Sequence, residues 1–195
     1  MTLLTEIHPL QPFLPINAKV LMLGSFPPPN AKWKMDFYYP NFQNDMWRIF
    51  GLVFFDEKDY FLTEKKSSFD KEKIIEFLSA KGIAVGDTAH EVHRLKGNAS
   101  DNFLQIVTPL NLESALSKIP DCSAIITTGE KATETLRSLF PETPPVPKIG
   151  SYAVVDFLNK KYKFYRMPSS SRAYPKPLTE KAEIYRQFFV EIDLL

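Results

Sequence analysis

The chain has 195 residues, 44% hydrophobic and 24% charged, which suits one globular domain over residues 1–195 with a proper core. A net charge of +1 excludes a protein that is basic throughout, so any nucleic-acid contact must come from a local patch. One cysteine, Cys122, excludes an internal disulfide, a four-cysteine zinc site and a cysteine-held cluster.

The opening MTLLTEIHPLQPFLP has neither the positive n-region nor the unbroken apolar stretch of a signal peptide. No segment is long enough to span a bilayer, so a cytoplasmic protein without a membrane partner is expected. AKVLMLG, Ala18 to Gly24, is an apolar run ended by glycine, as in a strand buried on both faces. The proline-stiffened loop SFPPPN follows. Asn44 or Asp45 can cap the helix MWRIFG, with Gly51 near its end. DKEKIIEFLSAKG is an amphipathic helix from Asp70 stopped by Gly82.

IAVGD is a second buried strand, leading into the polar segment EVHRLKGNASDN, and FLQIV is a third strand. NLESALSKI is a helix capped by Asn111; SAIITTG is a fourth strand, with Cys122 beside it as a core filler, and it delivers Gly129 to the helix EKATETLRSLF. YAVVDFL and KYKFYRMP alternate as two strands around a short turn. SSSRAYPKPLT is a loop, and Thr179 can cap the closing helix EKAEIYRQFFVEI. Strand and helix alternate without internal repeats. The fold expected is a three-layer α/β/α sandwich around a central, mainly parallel sheet.

Ligands sit at the carboxyl ends of the strands in such sheets. The loops of interest are therefore GSFPPPN…YYPNFQN, GDTAHE, TTGEKA and MPSSSRAY. The histidines are His8, His90 and His93; without a third ligand near the pair at 90 and 93, surface histidines on a helix or loop are expected, with no metal and no cofactor. GSFPPPN is neither a Walker sequence nor a dinucleotide fingerprint, and no nucleophile elbow surrounds PSSSR. What remains is a set of aromatics and amides: Phe26, Phe37, Tyr38 and Tyr39 can wall a slot for a flat ring whose edge Asn44 and Asp87 address. From Phe157 to Thr179 the chain carries Lys160, Lys161, Lys163, Arg166, Arg172 and Lys176 and no acidic residue. That strip reads as a phosphate-binding edge or as an edge strand blunted by lysines.

Together these pieces resemble the uracil-DNA glycosylase superfamily, over most of the chain from Lys19 to the closing helix. Its Gly-x-x-Pro loop is matched by Gly24, Ser25, Phe26 and Pro27. Its paired aromatics and Asn-x-aromatic-Trp are matched by Tyr38, Tyr39, Asn44 and Trp47, with Met46 departing from the aromatic. The strand ending in Asp is Gly82 to Asp87, and the Pro-Ser loop is Met167 to Ala173. Phe26 stands where many members keep an acid or amide, Met167 where the classical uracil enzymes carry His, and Pro28 where glycine is common. The remaining match is the hypoxanthine-DNA glycosylase branch.

The resemblance implies a monomeric DNA glycosylase of base-excision repair. Its partner would be double- or single-stranded DNA holding a deaminated base. Asn44 would be catalytic, Ser25, Phe26, Tyr38, Tyr39 and Asp87 would form the base pocket, and Ser169, Ser170, Ser171 and Arg172 would grip the DNA, with Lys160, Lys161 and Lys163 adding charge. Uracil, hypoxanthine, xanthine and mismatched thymine stay open as substrates. A binding protein that keeps the fold without catalysis is the alternative, and an unrelated α/β hydrolase or nucleotide-binding domain is a third reading.

Overall fold

The structure, a computed structural model, describes residues 4–96 and 100–195, so residues 97–99 of the expected polar segment lie outside it. In chain order the strands and α-helices are β1 (Thr5–Ile7), β2 (Val20–Gly24), α1 (Met46–Phe55), α2 (Lys71–Lys81), β3 (Ile83–Asp87), β4 (Ala89–Arg94), β5 (Leu104–Pro109), α3 (Leu112–Ser117), β6 (Ala124–Thr127), α4 (Glu130–Arg137), β7 (Ser151–Phe157), β8 (Lys160–Arg166) and α5 (Leu178–Glu191). Five strands form the central sheet in the order β3-β2-β6-β8-β7. The first four run parallel, and β7 closes one edge antiparallel to β8.

Alternation along the central strands divides the core in two. Val20 and Met22 face α1, α2 and α5, whereas Leu21 and Leu23 face α3 and α4, giving the three layers. On the first face the fully buried Phe50 and Phe189 meet edge to face with centroids 5.5 Å apart, each burial contributing roughly 1.5–3 kcal/mol. Cys122 fills the second face, where burial pushes its thiol up to about 12. No helix among the described residues is long and apolar enough to cross a membrane.

Local chemistry explains the boundaries. The Asp70 side chain accepts the Lys73 N–H at 3.1 Å, and Gly82, at φ 71°, stops α2 in the left-handed region. Asn111 caps α3 through the Ser114 N–H. Leu158 and Asn159, both at positive φ, form the two-residue turn between β7 and β8 that matches the sheet twist.

Four expectations are corrected. FLQIV joins no parallel sheet; β5 pairs antiparallel with β4, which pairs with β1, in a separate three-stranded sheet. His90 and His93 lie on β4 rather than on a helix or loop, and His8 is buried. Helix α1 runs past Gly51 to Phe55 and is stopped by Asp56 in the left-handed region. Helix α5 starts directly after Pro177, whose fixed φ suits a helix entry, so Thr179 lies inside it and caps nothing.

Candidate active site

The carboxyl ends of β2, β3, β6 and β8 open into one cleft of about 1090 Å³. Small-molecule sites typically occupy about 300–1,000 Å³, so the cleft has room for a flat ring and part of what carries it. The loop after β2 supplies one wall with Ser25, Phe26, Tyr38, Tyr39 and Asn44. Asp87 ends β3 on the floor, and Ser169 to Arg172 form the opposite rim.

Asp87 is 8% exposed, and its Oδ2 lies 2.8 Å from Nε2 of His8. Its Oδ1 sits against Gly24, where any β-carbon would overlap it. Thr128, just after β6, pairs its hydroxyl with that of Tyr39 at 2.8 Å. Tyr39 itself adopts φ 53°. Burial, reinforced by Asp87, raises the phenol pKa of both Tyr38 and Tyr39, so both remain hydrogen-bond donors at neutral pH. Most of the aromatic set is also core: Tyr38 is 3% exposed, its carbonyl accepts the Trp47 indole N–H at 3.0 Å, and Phe37 stacks on that indole. Phe26 packs with Ala89, Val92 and Leu104 while lining the cleft.

The Asn44 side-chain oxygen accepts the Met46 N–H at 2.9 Å, tying the residue to the start of α1. Its backbone bridges to Ser171, and the Asp45 N–H donates to the Ser170 carbonyl at 3.0 Å. The two rims are thus joined through backbone. Beneath the Pro-Ser loop, α5 supplies two supports: Tyr185 donates to the Pro168 carbonyl at 3.1 Å, and the buried Lys181 ammonium to the Ser171 carbonyl at 2.7 Å. Burial lowers the Lys181 pKa, with nearby Asp45 opposing. Lys181→Met removes the charged donor to the Ser171 carbonyl, which then keeps the Tyr174 N–H at 3.1 Å, and is expected to cost about 1–3 kcal/mol. A shift in the urea midpoint measures it.

Ser169 and Ser171 each accept a backbone N–H two residues on, which closes the turn and leaves each hydroxyl proton free to donate. Ser170 is buried. Arg172 does not hang free: Nε bonds Asp45 at 3.0 Å and a terminal nitrogen bonds Gln43 at 2.6 Å, so its plane is held at the rim.

Lys160, Lys161 and Lys163 are not brought to the cleft. They occupy the first half of β8, whereas the cleft lies beyond its last residue, Arg166. Their ammonium groups are engaged locally, Lys160 with the carbonyls of Pro120 and Cys122, Lys161 with Asp156 and Lys163 with Glu191. The cations that do line the cleft are Lys32, Lys131, Arg166 and Arg172.

Sequence reasoning also missed Asp101, which lines the cleft and accepts the Ser25 hydroxyl at 2.8 Å. Burial raises its pKa, and that hydrogen bond opposes the shift. No periodic pattern surrounds Asp101 or His8, so no local signal marked either. Lys181 could have been suspected, as a cation four residues before Tyr185 on the face that α5 buries.

No protein-family model matches the chain, and no curated protein does. Among solved structures it is similar in fold to the solution NMR structure of a candidate uracil DNA glycosylase from Methanosarcina acetivorans, with a TM-score of 0.59 and 22% identity. The match covers 94% of this chain and 98% of that one. Both therefore share the uracil-DNA-glycosylase-like fold.

Proposed function

We propose that the protein is a monofunctional DNA N-glycosylase that hydrolyses the N-glycosidic bond of a deaminated base, hypoxanthine or uracil, flipped out of DNA. The observation that carries this reading is the cleft itself: a buried acceptor, Asp87, on its floor, an uncharged amide, Asn44, on one wall, and a Pro-Ser loop on the rim joined to that wall by backbone. A glycosylase must read a flipped base by stacking and by hydrogen bonds to its edge. Phe26 stacks on the ring, and Asp87 accepts the ring N–H that uracil and hypoxanthine share. Neutral adenine and cytosine have no proton on that nitrogen.

Bond cleavage sends the electron pair into the base and leaves positive charge on the sugar. Asn44 orients the water that adds at C1′, whose proton passes to solvent. The amides of the Pro-Ser loop stabilise the departing anion, the usual role of preorganised dipoles, while the Ser25 hydroxyl stays committed to Asp101. Ser169, Ser171 and Arg172 hold the flanking phosphates, with Lys32, Lys131 and Arg166 adding salt-sensitive attraction. Lys160, Lys161 and Lys163 have no part in this reading.

A lesion-binding protein without catalysis is the second reading, favoured by the apolar Phe26 at the third position of the first loop. Alkali-induced scission of duplexes holding one hypoxanthine, uracil or xanthine separates the two. Scission ranks the bases of a glycosylase, and tight lesion binding without scission supports the binder. Arg172→Ala is expected to slow action on duplexes more than on single strands and to lower the salt slope of binding by about 1. Equal losses on both substrates would argue against a contact made only in the duplex.

A further inference from the structure

Both ring nitrogens of His8 are engaged, and their partners fix which one carries the proton. The Leu10 N–H can only donate, so Nδ1, 3.0 Å away, accepts; Nε2 therefore holds the hydrogen and donates to Asp87 Oδ2 at 2.8 Å. The histidine is itself held from several sides. Its backbone N–H donates to the His90 carbonyl at 2.8 Å, and its ring meets Phe26 edge-on at 5.2 Å and Tyr38 at 5.8 Å. His8 and Asp87 are 7% and 8% exposed.

The consequence lies in the other oxygen of the carboxylate. Oδ1 rests against Gly24, a residue of the cleft wall, while Oδ2 is turned back to the imidazole. A carboxylate with two free oxygens pairs well with two adjacent donors, and guanine presents such an edge in its ring N–H and exocyclic amino group. A carboxylate with one free oxygen suits a lone ring N–H, as in uracil and hypoxanthine, and leaves the second guanine donor without a partner. An unpaired polar group in a buried site is the stronger source of discrimination.

We propose that His8 is a positioning and specificity-determining residue that holds Asp87 as a one-oxygen reader of a lone ring N–H and so sets the site against guanine. The proposal rests on the glycosylase reading for its rate, but on the cleft alone for its binding preference.

The test uses the full chain with His8→Leu, which removes the donor, and His8→Gln, whose amide N–H reaches where Nε2–H now lies. Single-turnover release from hypoxanthine and from guanine duplexes is measured, together with affinity for lesion and undamaged duplexes and a thermal unfolding curve. In folded His8→Leu, hypoxanthine release is expected to fall about 100-fold, the usual scale of a misplaced reading group. Undamaged-duplex affinity stays level, the preference for hypoxanthine over guanine narrows, and His8→Gln recovers most of both. A purely structural role would lower all rates together and leave the preference intact, which overturns the proposal, as does a wild-type rate in His8→Leu.

If the wild type releases no base, the glycosylase reading fails and the binding arm decides for His8. Loss of lesion preference in His8→Leu then supports the proposal, and retention overturns it. Should His8→Leu not fold, a folded His8→Gln without lesion preference is the overturning result, and one with wild-type preference supports the donor role.

Discussion

Asn44→Ala is expected to cut base release from a hypoxanthine or uracil duplex by about 10²–10³-fold, the usual effect of removing one preorganised polar group from a reacting centre. Affinity for the duplex should stay close to wild type, because the proposed phosphate contacts of Ser169, Ser171 and Arg172 lie on the other rim. The geometry accounts for why an amide would serve in the proposed reaction. One lone pair of the Asn44 oxygen is taken by the Met46 N–H, which fixes the side chain, and the second lone pair and the amide protons remain to hold a water. The backbone bridge to Ser171 sets the proposed water holder at a constant distance from the loop proposed to grip DNA. Alanine also deletes the turn-closing bond, at about 1 kcal/mol of stability. Asn44→Asp keeps an oxygen for the Met46 N–H and should unfold at the wild-type urea concentration, so single-turnover rates of the two variants separate chemistry from folding. Full activity in Asn44→Ala would remove the residue from its role.

Gly24→Ala is expected to have the second large effect, on both stability and base reading. A β-carbon there would overlap Asp87 Oδ1 and lie 3.4 Å from the Tyr39 hydroxyl. The carboxylate has no easy retreat, since Oδ2 is held by His8 in a buried hydrogen bond. Overpacking of this kind costs about 1–3 kcal/mol, and relief by rotating Asp87 turns its free oxygen away from the base. Thermal unfolding and single-turnover release should therefore both fall, with the preference for hypoxanthine over adenine reduced. An alanine variant with wild-type selectivity would mean that Asp87 does not read the base from this position.

The parallel half of the fold was legible because its signals are local. The continuous apolar runs of β2, β3 and β6 mark strands buried on both faces, and Asp70 and Gly82 bracket α2 with their own side-chain chemistry. The antiparallel sheet was not legible. Its β1 is three residues long and mostly exposed, and it pairs with residues more than eighty positions away, which no window along the chain can register. His8 belongs to that blind region, so the clamp on Asp87 was invisible although Asp87 itself stood out at a strand end. The lysine strip misled for a related reason: composition counts Lys160, Lys161 and Lys163 together with Arg172, but β8 carries the first three away from the rim that its last residue reaches. Resemblance to a known superfamily selected Asn44 among the amides of the first loop; the packing adds what fixes it in place.

The most direct measurement is mass spectrometry of the products when excess wild-type protein is incubated with a duplex holding a single hypoxanthine. Free hypoxanthine and an otherwise intact abasic strand are expected in equal amounts, both formed about 10²–10³-fold more slowly by Asn44→Ala. A duplex that is bound tightly and recovered with its base still attached would contradict the glycosylase reading.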